Sequence, residues 1–525
     1  MHLHRPLITA ALIAASPALG AVTPDQAKSV ESQLQTWYAA TFSKPGKPGA
    51  PTVQVEPAGD RYKIIIPLGL QSATGPLAVT ALANPADNGR WVYDTLQLPQ
   101  PFEYSLSVPQ TKPPGEKVAP GPTVVHSKII AATQEGSGVW DPTFATPSTF
   151  KQTMTGIVST STSTTSTGDS NTASISPAGE TLTQRNTVDR SVTESAMTPN
   201  GRDKVDILTT ATLTGYNLSM QGKDTPPIDV AAREGGASIK INGVPRERGV
   251  EVIRALADLF NAGIPGLGAS AGAGAAPAVA TKPGSDTKLS PAGYAAMRRV
   301  IVALPELGTD GSIEEAVSDL KVTASGKTFS ASKVALSMNA KSVSGLLQAA
   351  MGLSADGMVW PELGLGDMEQ LLPKHFAMRP NMSGVSGKDM FDIILGSLDA
   401  EQKGVVAPED AKSRLMNKGF TLGIESMEFD TAGTTVSGNA SVTYLGGSGG
   451  TLLSSKGSAH IVAKDLDKLT AVVSAQPMLA QGVPAIVFLK GLAKQAEGGM
   501  VWDVTFDGTK LAVNGTDMTA MMGGK

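Results

Sequence analysis

From Val53 onward apolar and polar residues alternate with a period of two, and glycine interrupts the alternation at intervals. Val53-x-Val55, then Glu56-Pro57-Ala58-Gly59-Asp60, then Tyr62-x-Ile64-x-Ile66 predicts strand, tight turn, strand. The arrangement recurs where Ala173-x-Ile175 leads through Gly179 to Leu182, and where Leu320-x-Val322 leads through Gly326 to Phe329. It returns where Met427-x-Phe429 leads through Gly433 to Val436, and where Trp502-x-Val504 leads through Asp507-Gly508 to Leu511-x-Val513. Two same-face side chains enter each turn, glycine takes the backbone conformation that other residues avoid, and a same-face residue leaves it. One constant offset carries Val317, Leu320, Val322, Gly326 and Phe329 onto Ile424, Met427, Phe429, Gly433 and Val436. Two explanations stay open: hairpins converging on the same turn residues for steric reasons, and an internal duplication.

Helical periodicity is confined to short stretches. Thr23, Pro24 and Gln26 form a capping box ahead of Ala27, Val30, Leu34, Trp37 and Tyr38, which share one helix face. Val250 to Phe260 predicts a second amphipathic helix and Ser290-Pro291 starts a third (Met297, Val300, Ile301, Leu304). Shorter helices are expected near Asp389 to Leu398 and Pro408 to Lys418, with a strongly apolar one over Ala485 to Ala496. Between Gly156 and Met220 hydroxyl residues dominate. Val205 to Leu213 alternates cleanly and predicts a strand, whereas Ser159 to Asp169 is expected to be a loop. Gly266 to Ser285 is rich in Ala, Gly and Pro and has the composition of a flexible linker. The expected organisation is therefore a β-rich domain at 21–265, a linker at 266–288 and a hairpin domain at 289–525. The fold class is α+β and β-rich, with repeated antiparallel hairpins forming long twisted sheets and interspersed amphipathic helices.

Composition changes the picture in two ways. Only 17% of the 525 residues are charged, against about a quarter in average proteins, and the net charge is −4. No Lys/Arg-rich run exists to neutralise phosphates, so nucleic acid is excluded as a partner class. Cysteine is absent, which removes disulfides, thiolate metal sites and cysteine nucleophiles. The first twenty residues read as a signal peptide (1–20). Arg5 gives a basic start, Leu7 to Ala15 an apolar run too short to span a bilayer, Ser16-Pro17 a break, and Ala18-Leu19-Gly20 small residues before a cleavage point between Gly20 and Ala21. The expectation is export to the periplasm by a cleavable signal, with no transmembrane span after processing.

Chemical motifs are few. Past the signal, the histidines are His126, His375 and His460. None stands at ligand spacing from another, so no metal or cofactor is expected and each is read as a surface or loop residue. Gly446-Gly447-Ser448-Gly449-Gly450 satisfies G-x-S-x-G but sits between strand-like segments, not at a strand-to-helix elbow. Gly326-Lys327-Thr328 lacks the earlier glycine of a phosphate loop and opens an alternating strand. Gly266-Leu267-Gly268 has no preceding strand, and the acidic pairs Glu314-Glu315 and Glu409-Asp410 read as solvated faces. No catalytic, metal or cofactor residues are assigned.

The segment from Ala485-Ile486-Val487-Phe488-Leu489 through Leu511-Ala512-Val513-Asn514-Gly515 resembles the C-terminal ends of YdgA-like bacterial periplasmic proteins, themselves similar to AsmA-like envelope proteins. The resemblance implies an envelope location and no catalytic residues. Most such proteins keep an N-terminal membrane anchor, whereas this chain carries a cleavable-looking signal. Three functions follow as expectations: a non-catalytic envelope protein binding lipid or an apolar ligand on a concave sheet face, a periplasmic hydrolase of polysaccharide or ester substrates, and an envelope assembly scaffold bound to another envelope protein. Mass spectrometry of the protein purified from the envelope of its host should find Ala21 as the first residue, and a retained Met1 would contradict the cleavage assignment.

Overall fold

The computed structural model describes residues 22–42, 52–72, 75–86, 89–108, 123–141, 146–165, 181–222, 226–245, 291–303, 310–364, 366–403, 413–414, 417–446, 455–476, 479–496 and 498–522. The signal segment, the turn at Ser176–Glu180, the helix expected over Val250 to Phe260, the linker, Glu409-Asp410 and Ser448 lie outside these residues. The chain is β-rich and antiparallel with few helices. It divides into two compact units, one of Met1–Asp229 with Lys240–Leu307, the other of Val230–Ile239 with Gly308–Lys525.

In the first unit helix α1 (Pro24–Phe42) precedes β1 (Gln54–Ala58), β2 (Arg61–Ser72), β3 (Gly75–Pro85), β4 (Trp91–Gln97), β5 (Phe102–Val108), β6 (Thr123–Ile130), β7 (Thr133–Asp141), β8 (Thr146–Thr165), β9 (Thr181–Asn200), β10 (Lys204–Gln221), β11 (Ile228–Pro245) and α2 (Pro291–Ala303). Residues Val230–Ile239 of β11 count with the second unit. β1 to β4 pair in chain order, β4 with β7 and β5 with β6. β8 pairs with β7 along its first half and with β6 along its second, so β6 and β7 follow one another along the same edge. β9 and β10 extend the meander.

The hydroxyl run is a correction: β8 continues to Thr165, so Ser159 to Thr165 is strand, not loop. Thr has high β propensity, and the run is flanked by β6 and β9, which take up its backbone N–H and C=O groups.

The core of this unit forms where α1 lies on β1 to β4. Ala27, Val30 and Tyr38 are buried against Val55, Tyr62, Ile64, Ala81, Ala83 and Tyr93. The capping box closes in an unexpected way. Gln26 N donates to Thr23 Oγ1, but the Gln26 side chain accepts from the Tyr62 hydroxyl at 2.5 Å, and Thr23 N donates to that hydroxyl. Gln35 and Glu31 of α1 accept from Val53 N and Val55 N, which satisfies the open edge of β1.

A bulge keeps the apolar side consistent. Leu82 faces Thr95 and Ala83 faces Tyr93, which leaves Asp94 as the extra residue. Trp91, Tyr93 and Leu96 thereby all reach the core, and the Asp94 carboxylate turns out to accept from Arg61 at 2.6 Å. Opposite Tyr93 stands Gly138, where an added Cβ would lie 2.3 Å from the Tyr93 hydroxyl.

The second unit contains β12 (Asp310–Ala324), β13 (Lys327–Val343), β14 (Leu346–Asp356), β15 (His375–Ser386), α3 (Gly387–Lys403), β16 (Phe420–Thr431), β17 (Thr434–Tyr444), β18 (Ser455–Lys464), α4 (Leu466–Ala475), α5 (Val483–Leu492), β19 (Lys494–Ala496), β20 (Gly499–Phe506), β21 (Leu511–Val513), β22 (Thr516–Asp517) and α6 (Thr519–Met522). β12 to β18 pair in chain order, β18 pairs with β20, and β19 and β21 flank β20 on its other side. The β12–β13 and β16–β17 turns share one backbone, with Ser325 and Gly326 at φ 52° and 75° and Ala432 and Gly433 at 50° and 69°. Positive φ at both central residues matches the right-handed twist of the strands.

The helix expected to run to Ala496 instead stops at Leu492. Its last carbonyls are taken by side chains, with Trp502 Nε1 donating to Leu489 O and Asn514 Nδ2 to Leu492 O, and Lys494 to Ala496 pair with β20. Asn514, at φ 51°, also donates to Val501 O and accepts from Asp503 N. The Leu-x-Val-Asn-Gly segment is thus a clamp between α5 and the last hairpin.

Replacing Tyr62 with Phe removes the bridge between α1 and β2 and leaves Gln26 and Thr23 short of a partner. Urea unfolding should show a loss of about 1–2 kcal/mol at an unchanged slope.

Candidate functional site

Directly opposed residues of an antiparallel ladder share a face, so the register of the second unit can be read as rows crossing the strands. One row is Ile313, Met338, Met351. The next is Leu336, Leu353, Met378, Met427, Gly438, Ile461, Trp502. Another is Met382, Leu422, Val442, Gly457, Phe506. A bulge at Glu425 and Ser426 preserves this face, since without it Met427 and Leu422 would point opposite ways.

The other face is largely polar, although it also carries the paired Val343 and Leu346 at the β13–β14 turn. It carries the row Asn339, Ala350, Asn381, Gly423, Ser441, Ser458, Thr505. His460 Nδ1 lies 2.7 Å from Asp503 and His375 Nδ1 lies 2.6 Å from Asp356, each pair directly across a ladder.

The apolar face is unevenly covered. Its middle row ends at Trp502, which is buried with its indole bonded to α5. Toward β13 and β14 it is open: Met338 is 45% exposed, Met351 43%, Leu353 40%, and Leu422 on β16 42%. Met338, Met351 and Leu353 thus form an exposed apolar cluster on the adjacent strands β13 and β14.

The remaining chemistry is cross-strand and local. His126, on β6, has Ser105 Oγ 2.9 Å from Nδ1 and Glu103 Oε1 3.1 Å from Nε2, and Lys128 approaches Glu103 at 3.8 Å. The sequence reading missed this trio, because its members meet only through the β5–β6 register. It has the connectivity of a nucleophile, base and orienting acid. A pleated strand, however, lacks the sharp strand-to-helix turn and facing backbone donors that activate a serine. A cavity of about 340 Å³ on β7 to β10 has a mixed lining in which the exposed Lys151–Glu194 pair (2.7 Å) sits beside Phe150 and Leu208. All three histidines stand on strands and none in a loop. Among the described residues no cluster of three His, Asp or Glu could hold a metal ion, and no helix is long and apolar enough to cross a membrane. Gly326-Lys327-Thr328 is a hairpin turn entering β13, and Glu314 and Glu315 lie exposed on β12.

Asp389, buried in the first turn of α3, is a charge fixed by two cations. Lys418 Nζ donates to it at 2.6 Å and Arg414 Nε at 3.1 Å. The Lys418 ammonium foremost, then Arg414 and Ser386, hold its carboxyl down at about 2 against the opposing effect of desolvation. A lowered pKa gives stability that is complete above the ordinary carboxylate value and fades as pH falls through the folded-state value. Asp389→Asn should therefore cost about 1–3 kcal/mol at neutral pH, and the gap to wild type should close between about pH 4 and pH 2 in acid titrations followed by circular dichroism.

Compared with family models, curated proteins and solved structures, the chain matches none.

Proposed function

We propose that this is an exported envelope protein that holds the acyl chains of a lipid against the open apolar face of β13 to β16, without catalysing a reaction. The observation that carries this reading is the exposure of Met338, Met351, Leu353 and Leu422 on one side of a sheet whose other side is largely polar. Methionine suits such a surface, because its unbranched thioether adapts to chains of differing shape. The four strands span about 14 Å at the usual spacing. Ten methylenes withdrawn from water contribute about 8 kcal/mol, and association costs about 4–15 kcal/mol. One short chain would thus be held weakly, which favours a lipid with two or more chains. The N-terminal segment, the low charge and the C-terminal resemblance support an envelope location.

The Ser105–His126–Glu103 trio is the observation that favours a hydrolase instead. Loss of ester turnover in Ser105→Ala, with binding to lipid absent, would establish that reading in place of the first.

Lipid extracted from protein purified from its host should contain a reproducible acyl lipid at a fixed ratio. Leu353→Lys, which places a charge on the open face, should reduce that ratio about tenfold or more with little change in melting temperature. A protein that is empty whether or not Leu353 is replaced would overturn the proposal.

A further inference from the structure

We propose that Met338 and Met351 form an oxidation site through which peroxide-class oxidants release the bound lipid, an inference that rests on the acyl-binding reading above. The two residues are direct partners across the β13–β14 ladder, so their side chains stand together on the apolar face. Both are open to solvent, whereas Met358, in the same unit, is only 9% exposed. Met378 and Met427 are direct partners in the adjoining row, so each successive oxidation alters the same surface. With no cysteine in the chain, no thiol competes for the oxidant.

The chemistry is balanced without a cofactor. A lone pair of the thioether sulfur attacks one oxygen of hydrogen peroxide, an S–O bond forms, the O–O bond breaks, and the departing hydroxide takes the proton of the oxygen now on sulfur and leaves as water. Sulfur is oxidised by two electrons and the peroxide is reduced. The product sulfoxide is polar and chiral, which converts part of the acyl-binding surface into one that water prefers. Methionine sulfoxide reductases of the two epimer classes can reverse the change.

The test uses the full processed protein treated with hydrogen peroxide, peptide mapping by mass spectrometry, and titration with a fluorescent fatty acid. Oxygen should be added at Met338 and Met351 about tenfold faster than at Met358. Affinity for the fatty acid should fall about tenfold on oxidation and return after reduction by both reductases. The double variant Met338→Leu, Met351→Leu keeps the face apolar but carries no oxidisable sulfur at the pair, so its own affinity for the fatty acid, compared before and after peroxide, should change by less than about twofold. Equal oxidation rates at the three methionines, or unchanged affinity after full oxidation of the pair, would overturn the proposal. Failure of the untreated protein to bind the fatty acid defeats the acyl-binding reading and with it the release step, while the peptide map independently decides whether the pair is a selective oxidation site.

Discussion

Side chains on a strand point alternately to its two faces, and each strand of an antiparallel meander must agree with its neighbours about which face is which. A slip of one residue would exchange the apolar and polar sides of everything it touches. In the second unit that agreement holds over seven strands, from Leu336 to Trp502. It survives a bulge because the extra residue on β16 restores Met427 to the face of Leu422. The bulge at Asp94 does the same for Tyr93 and Leu96 in the first unit, where the helix α1 then covers the apolar side. Covered, such a face is a core. At β13 and β14 it is left open, and the proposed acyl binding rests on that exposure.

The two faces of the second unit differ in the contacts they carry. The polar side ties strands together through His–Asp and Ser–Ser contacts, exposed or partly exposed, each of which contributes little alone. Stronger fixtures sit at the margins. Asn514 and Trp502 hold α5 to the last hairpin, and Asp389 joins α3 to the segment of Arg414 and Lys418. These restraints lie away from the open part of the apolar face, where Met338, Met351 and Leu353 are exposed.

Much of the architecture was legible in the alternation. The hairpins at Gly59, Gly326, Gly433 and Gly508, the helix capped by Thr23 and the helix at Asp389 all stand where the sequence places them. What escaped was long-range. Ser159 to Thr165 reads as a loop because it is polar on both sides, and only pairing to β6 and β9 makes it a strand. Ala493 looks like helix interior until Asn514, more than twenty residues away, takes the carbonyl before it. The matched hairpins prove alike beyond their turns. The ladder is interrupted at Asp319 in one and at the corresponding Ser426 in the other, although only the second interruption adds a residue to the strand. The rows of the candidate site were half visible. Met427-x-Phe429 announces an apolar face, but neither its neighbours nor its exposure can be read before the register is known.

The central claim is that one particular face of the second unit receives acyl chains, and photo-crosslinking with a diazirine-bearing fatty acid tests it most directly. Mass spectrometry should place adducts on Met338, Met351, Leu353 and Met378 and leave Asn339 and Asn381, on the opposite side of the same strands, unmodified. Adducts divided equally between the two sides, or confined to other segments of the chain, would contradict it.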